Sequence, residues 1–302
     1  IKLDGNYPTG TNNVALGNLA LDDGSLSGAS NTAIGATSLS LNTSGIRNTA
    51  VGEGSLCSNT TGSYNEAFGR LALQANISGS CNVAIGQRAL YLNTADDNTA
   101  VGSQALGANT TGTANTSLGF YSLKCNTTAS NNTAVGASAL LANTTGTQNV
   151  ALGVAVKANT TANNNIGIGY DALCVNQTGN ANVAIGTDSL RNNTVGNNTA
   201  VGYTALAANT TGIQNVSIGS ISSVTNTTGC YNTAVGHASL YNNSTGCRNT
   251  ALGNFAGNDN TTANDNTSVG YFALKANTTG ANNVALGACA LTLNTASNNT
   301  AV

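Results

Sequence analysis

The chain has 302 residues, of which only 7% are charged, and its formal net charge is −2. The nine basic residues are scattered from Lys2 to Lys275, which disfavours electrostatic capture of nucleic acid or of an anionic membrane. No apolar run is long enough to cross a membrane as a helix.

A leader of residues 1–12 is followed by a short motif that returns about every seventeen residues. Each unit has an opening Asn, a short apolar run that ends in Gly, a central Ala-Leu and a closing Asn-Thr-Thr-Gly. Such a period is typical of a solenoid, in which each unit is completed by its neighbours. The sequence therefore predicts one continuous rod-like domain over residues 13–302, truncated inside its last repeat. The opening residues are Asn13, Asn31, Asn48, Asn65, Asn82, Asn98, Asn115, Asn132, Asn149, Asn165, Asn182, Asn198, Asn215, Asn232, Asn249, Asn266, Asn283 and Asn299.

The residues of one unit are numbered from the opening Asn as position 1. Positions 2 to 4 alternate as a short strand does, and position 9, as in Leu56 and Leu140, is mostly Leu. We expect two short strands in each coil, with positions 4 and 9 pointing into the core. The Ala or Ser at position 3 would then face outward, either as a packing face for another copy or as a residue that fits a tight corner. The Gly at position 5 and the Asn-Thr-Thr-Gly segment are the predicted corners.

Two runs, Asn82-Val83-Ala84-Ile85-Gly86 and Asn182-Val183-Ala184-Ile185-Gly186, resemble the head repeats of trimeric autotransporter adhesins of the YadA-like type. Similar repeats occur in phage and viral tail fibres. The resemblance implies a left-handed β-roll, an extracellular or surface location and a candidate trimer. With the periodicity, the expected fold is an all-β, parallel β-solenoid of about 17 coils with 17 residues per coil.

The Asn of the closing segment lies in an Asn-x-Ser/Thr sequence, the acceptor signature for N-glycosylation. One interpretation is a row of glycans along one edge, and the other is an unmodified ladder of corner asparagines. The opening Asn is expected to form a buried amide ladder instead. The thirteen candidate glycosylation sites are Asn42, Asn59, Asn76, Asn109, Asn126, Asn143, Asn159, Asn176, Asn209, Asn226, Asn243, Asn260 and Asn277.

Seven cysteines show no spacing typical of a zinc site. Cys230 and Cys247 both hold position 16 of consecutive units, so they are the candidate disulfide, and the other five are expected to be small buried residues. His237 is the only histidine, and no nucleophile, base or phosphate-binding loop is present, so we expect no enzyme, metal or cofactor.

A structural subunit of an extracellular filament or fibre explains the monotony of the repeat and the shortage of charge. Its expected partners are copies of itself, packed end to end or side by side, because Val302 ends the sequence inside a repeat without a polar cap. The alternative is a surface adhesin or tail-fibre shaft with receptor binding. A minor alternative is an ice-binding solenoid, which would need an outward Thr in every coil.

Overall fold

A computed structural model describes residues 11–302, so nearly all of the predicted leader 1–12 lies outside the described residues. The chain divides into two compact units, the first ending at Asn149 and the second being Val150–Val302. Every described coil contributes one short strand at positions 2 to 4. In the first unit the strands are β1 (Val14–Leu16), β2 (Thr32–Ile34), β3 (Thr49–Val51), β4 (Glu66–Phe68), β5 (Val83–Ile85), β6 (Thr99–Val101), β7 (Thr116–Leu118) and β8 (Thr133–Val135). In the second they are β9 (Val150–Leu152), β10 (Ile166–Ile168), β11 (Val183–Ile185), β12 (Thr199–Val201), β13 (Val216–Ile218), β14 (Thr233–Val235), β15 (Thr250–Leu252), β16 (Thr267–Val269), β17 (Val284–Leu286) and β18 (Thr300–Ala301).

Within each unit, the strands pair in chain order, parallel and in register. Thr32 lies beside Thr49 and Ala33 beside Ala50, so each position stacks on the same position of the next coil. This pairing confirms the predicted all-β, parallel β-solenoid with one coil per about seventeen residues.

The predicted second strand of each coil is absent from residues 11–302, because the backbone around position 9 adopts the left-handed conformation. Leu56 has φ 50°, and position 7 has a positive φ in most coils as well. This segment still bonds coil to coil, since the N–H of Leu56 donates to the carbonyl of Ala72 at 3.0 Å. The ladder of position 9 is therefore built from turns rather than from strands.

The predicted strand register is wrong by one residue. Ala50 at position 3 is fully buried, whereas Ile34 and Ile85 at position 4 remain 37% and 41% exposed. Leu140 at position 9 points inward as predicted and is fully buried. Because side chains alternate along a strand, placing the small position 3 inside turns positions 2 and 4 outward. In the core, the methyl groups of alanines therefore pack against leucine side chains. One such cluster consists of Ala234, Leu240, Ala251 and Ala256.

Both predicted corners exist, but they use glycine in different ways. Gly52 at position 5 has φ 130°, and a Cβ there would lie 2.7 Å from both the carbonyl carbon and the carbonyl oxygen of Gly69, in the next coil. The sequence predicts a left-handed conformation for the Gly of the closing segment, but Gly62 does not have a positive φ. It is required by close approach, since a Cβ would meet Oδ1 of Asn59 and the carbonyl oxygen of Gly79 at 2.4 Å.

Candidate functional site

The opening asparagines form a buried ladder that links successive coils, as expected. Oδ1 of Asn48 accepts the backbone N–H of Asn65 at 3.0 Å, while Nδ2 of Asn48 donates to the carbonyl of Gly62 at 2.8 Å. Each amide therefore satisfies a corner carbonyl of its own coil and a strand N–H of the next coil. This bonding gives the opening Asn a structural role.

The asparagines of the closing segment form a second buried ladder. Nδ2 of Asn59 donates both to Oδ1 of Asn42 at 2.8 Å and to the carbonyl of Gly62 at 2.9 Å. The neighbouring Thr60 hydroxyl donates to the carbonyl of Ile77, one coil away, at 3.1 Å. The recurring Asn-Thr pair thus serves hydrogen bonds between coils, which explains its repetition without any modification.

The burial of this ladder favours the interpretation of an unmodified ladder of corner asparagines over a row of glycans. An N-linked glycan is carried on the side-chain amide of Asn, and in this ladder that amide is turned into the core. All thirteen candidate asparagines are at most 2% exposed, so a sugar on any of them cannot fit in the folded coil. Four exposed asparagines outside the candidate set also lie in Asn-x-Thr sequences and carry the same sequence signal: Asn131, Asn192, Asn197 and Asn298.

Cys230 and Cys247 lie on adjacent coils, as their spacing predicts, but both are free thiols and no disulfide joins them. The N–H of Cys230 donates to Sγ of Cys247 at 3.1 Å, and the N–H of Ile213 donates to Sγ of Cys230 at 3.4 Å. Ser63 accepts a backbone N–H at the same position 16 of its own coil. Each sulfur therefore replaces a serine hydroxyl as an acceptor for the preceding coil instead of pairing with the other sulfur.

The other five cysteines are not buried, contrary to expectation. Cys57 and Cys174 are half-buried, and Cys81, Cys125 and Cys289 are exposed. Among residues 11–302, no group of three His, Cys, Asp or Glu side chains could hold a metal ion, and no helix is long and apolar enough to cross a membrane.

The most concentrated set of ionisable side chains lies in the second unit, around Lys157. Its Nζ lies 2.7 Å from Oδ1 of Asp171, and this hydrogen bond raises the pKa of Lys157. Burial raises the pKa of the Cys174 thiol, which keeps the sulfur protonated at neutral pH. The cluster therefore holds an ion pair and an unreactive thiol, and it offers no nucleophile.

The outward side chains at positions 2 and 4 form a continuous surface in each unit, here called the outer strand face. In the first unit it includes Thr32, Ile34, Thr49 and Val51, with Glu66 as its single charge. In the second unit its side chains are all Thr, Val, Ile or Leu. Aliphatic side chains make up most of this surface, which makes it a candidate contact surface.

Comparison with known proteins adds no assignment to these surfaces: no protein-family model matches the sequence, and no curated protein matches it significantly.

Proposed function

We propose that this chain is a structural subunit of an extracellular filament or fibre, in which copies pack side by side through the outer strand face. The observation that carries the proposal is the outer strand face, which is nearly uncharged. It extends from one strand to the next through each unit. The side-chain amides of the repeating asparagines are directed inward, into two ladders, so they do not take part in contacts on this face.

The size of the outer strand face supports a stable contact between copies. A standard interface buries about 800 Å² on each partner, and the outer strand face repeats over eight strands in the first unit and ten in the second. Aliphatic side chains such as Ile185 and Ile218 stand two residues from Val or Thr neighbours on the same strand, which makes the face regular along its length. A regular face favours association with a second copy of the same repeat.

Self-association can be measured by sedimentation velocity across a concentration series, with negative-stain electron microscopy of the associated material. The test variant is Ile185→Glu with Ile218→Glu, which places two charges on the outer strand face of the second unit. The control, Thr187→Glu with Ser220→Glu, adds the same charge to the same coils at exposed position 6, beyond the Gly corner. We expect the native chain and the control to associate alike and the face variant to associate more weakly.

Either of two results would overturn this proposal: a native chain that stays monomeric at all concentrations, or a face variant that associates like the control. A native chain that stays monomeric would favour the alternative function, a shaft that binds a receptor.

The outer strand face does not favour ice binding. An ordered ice-binding face would need Thr in every coil, and the row at position 2 is broken by Val14, Glu66 and Val83 in the first unit. Position 4 is aliphatic or aromatic throughout that unit. The face is therefore suited to apolar contact rather than to an ordered hydroxyl array.

A further inference from the structure

A depression of about 170 Å³ lies on the surface of the first unit, away from the outer strand face. Its lining includes Gly107 at position 10, with Tyr91 of the preceding coil and Lys124 of the following one at the same position. Other coils fill position 10 with a side chain, for example Leu141. The missing side chain of Gly107 thus opens a gap that the regular repeat would close.

Two cations border this depression without a carboxylate partner in the described part of the chain. Four other basic residues, Arg70, Lys157, Arg191 and Arg248, form ion pairs with acidic side chains at 2.7 to 3.7 Å. Arg88 and Lys124 instead lie over aromatic rings, 5.4 Å from the centroid of Tyr91 and 4.0 Å from that of Tyr121 respectively. An aromatic ring orients a cation without neutralising it, so both charges remain available to an anion.

The remaining walls supply two other kinds of contact. Tyr91 and Leu92 provide aromatic and aliphatic surface, and Leu92 is 41% exposed. Gln104 provides an amide that can both donate and accept, and its Nε2 lies 3.4 Å from the hydroxyl of Tyr121. A depression of about 170 Å³ has room for one small ring with its substituents.

We propose that this depression binds a uronic-acid sugar, a single sugar ring that carries a carboxylate. Arg88 and Lys124 attract the carboxylate, Tyr91 and Leu92 contact the apolar face of the ring, and Gln104 pairs with its hydroxyl groups. Arg88 can take a carboxylate through two parallel hydrogen bonds, a geometry that Lys124 cannot supply. The site is independent of self-association through the outer strand face.

The test is a titration of the native chain with glucuronate, followed by NMR or calorimetry, with glucose and acetate as matched ligands. We expect glucuronate to bind more tightly than either, because glucose lacks the charge and acetate lacks the ring. Arg88→Gln should weaken glucuronate binding about tenfold or more, in line with the loss of a charge-assisted hydrogen bond. The control Arg47→Gln removes a cation that lies elsewhere, beside Tyr64, and should change nothing.

A second variant keeps the proposal testable without changing any charge. Gly107→Leu fills the depression with the side chain that Leu141 already places at position 10, so the coil should fold and binding should be lost. Its control is Ser40→Leu, the same change at position 10 of another coil. Equal binding of acetate and glucuronate, or undiminished binding by a folded Gly107→Leu chain, would overturn the assignment.

Discussion

Asn59 donates both hydrogens of its side-chain amide, one to Oδ1 of Asn42 at 2.8 Å and one to the carbonyl of Gly62 at 2.9 Å. Its own Oδ1 accepts from Nδ2 of Asn76 at 2.9 Å, so the same amide links three successive coils. Because these amides are buried, removing one of them leaves its partners without hydrogen bonds inside the coil.

Asn59→Ala should lower the free energy of unfolding by about 2–5 kcal/mol, since it leaves several buried polar groups without partners. Thr61→Ala, two residues away at an exposed position, is the control and should stay within about 0.5 kcal/mol of the native chain. Urea unfolding followed by circular dichroism measures both variants. Similar losses in the two would show that the ladder contributes nothing specific.

Leu140 and Val135 test the strand register within one coil. Leu140 is fully buried and Val135 is 36% exposed. Leu140→Ala should cost about 2–5 kcal/mol through lost burial and the cavity left behind. Val135→Ala should cost less than about 1 kcal/mol, because its side chain lies on the outer strand face. If urea unfolding shows a larger loss of stability for Val135→Ala than for Leu140→Ala, then position 4 rather than position 9 forms the core.

Gly52 and Gly24 are a matched pair for the role of the position 5 corner. Gly52 has φ 130° and no room for a Cβ, whereas a Cβ at Gly24 would have no atom within 4 Å. Gly52→Ala should therefore destabilise by several kcal/mol, and Gly24→Ala should be neutral or stabilise by about 0.4–1 kcal/mol. Thermal unfolding of both variants decides the point, and an unchanged midpoint for Gly52→Ala would contradict the close contact between coils.

The repeat alone was enough to predict the solenoid, its coil length and the inward Leu140, because a seventeen-residue period leaves few ways to bury an apolar residue. The register failed at position 4, since hydrophobicity favours Ile85 over Ala84 as a core residue. Inside the narrow coil, only a side chain as small as a methyl group fits opposite the leucine of position 9. This limit depends on the width of the coil, which no single residue of the sequence reveals. The burial of Asn59 could not be predicted for a similar reason. The Asn-x-Ser/Thr pattern is the same in a buried corner as in an exposed glycan acceptor.

Arg248 and Asp265 offer a titration that isolates one contact between coils. Nε of Arg248 lies 2.7 Å from Oδ1 of Asp265, and Nη2 lies 2.9 Å from Oδ2. These hydrogen bonds hold the pKa of Asp265 below its ordinary value of 3.8. A lowered folded pKa means that the pair stabilises the chain above pH 3.8 and that this contribution is lost as the pH falls through the folded pKa.

Arg248→Gln should return the pKa of Asp265 toward 3.8, as measured by NMR of the carboxyl carbons between acid and neutral pH. Asp23, whose pKa is lowered by the Ser25 hydroxyl instead, is the internal control and should not move. High salt should reduce the shift of Asp265 in the native chain, because the pair is exposed and the Debye length at 1 M is only about 3 Å. If Asp265 titrates alike in the native chain and in Arg248→Gln, the two side chains do not meet across the coils.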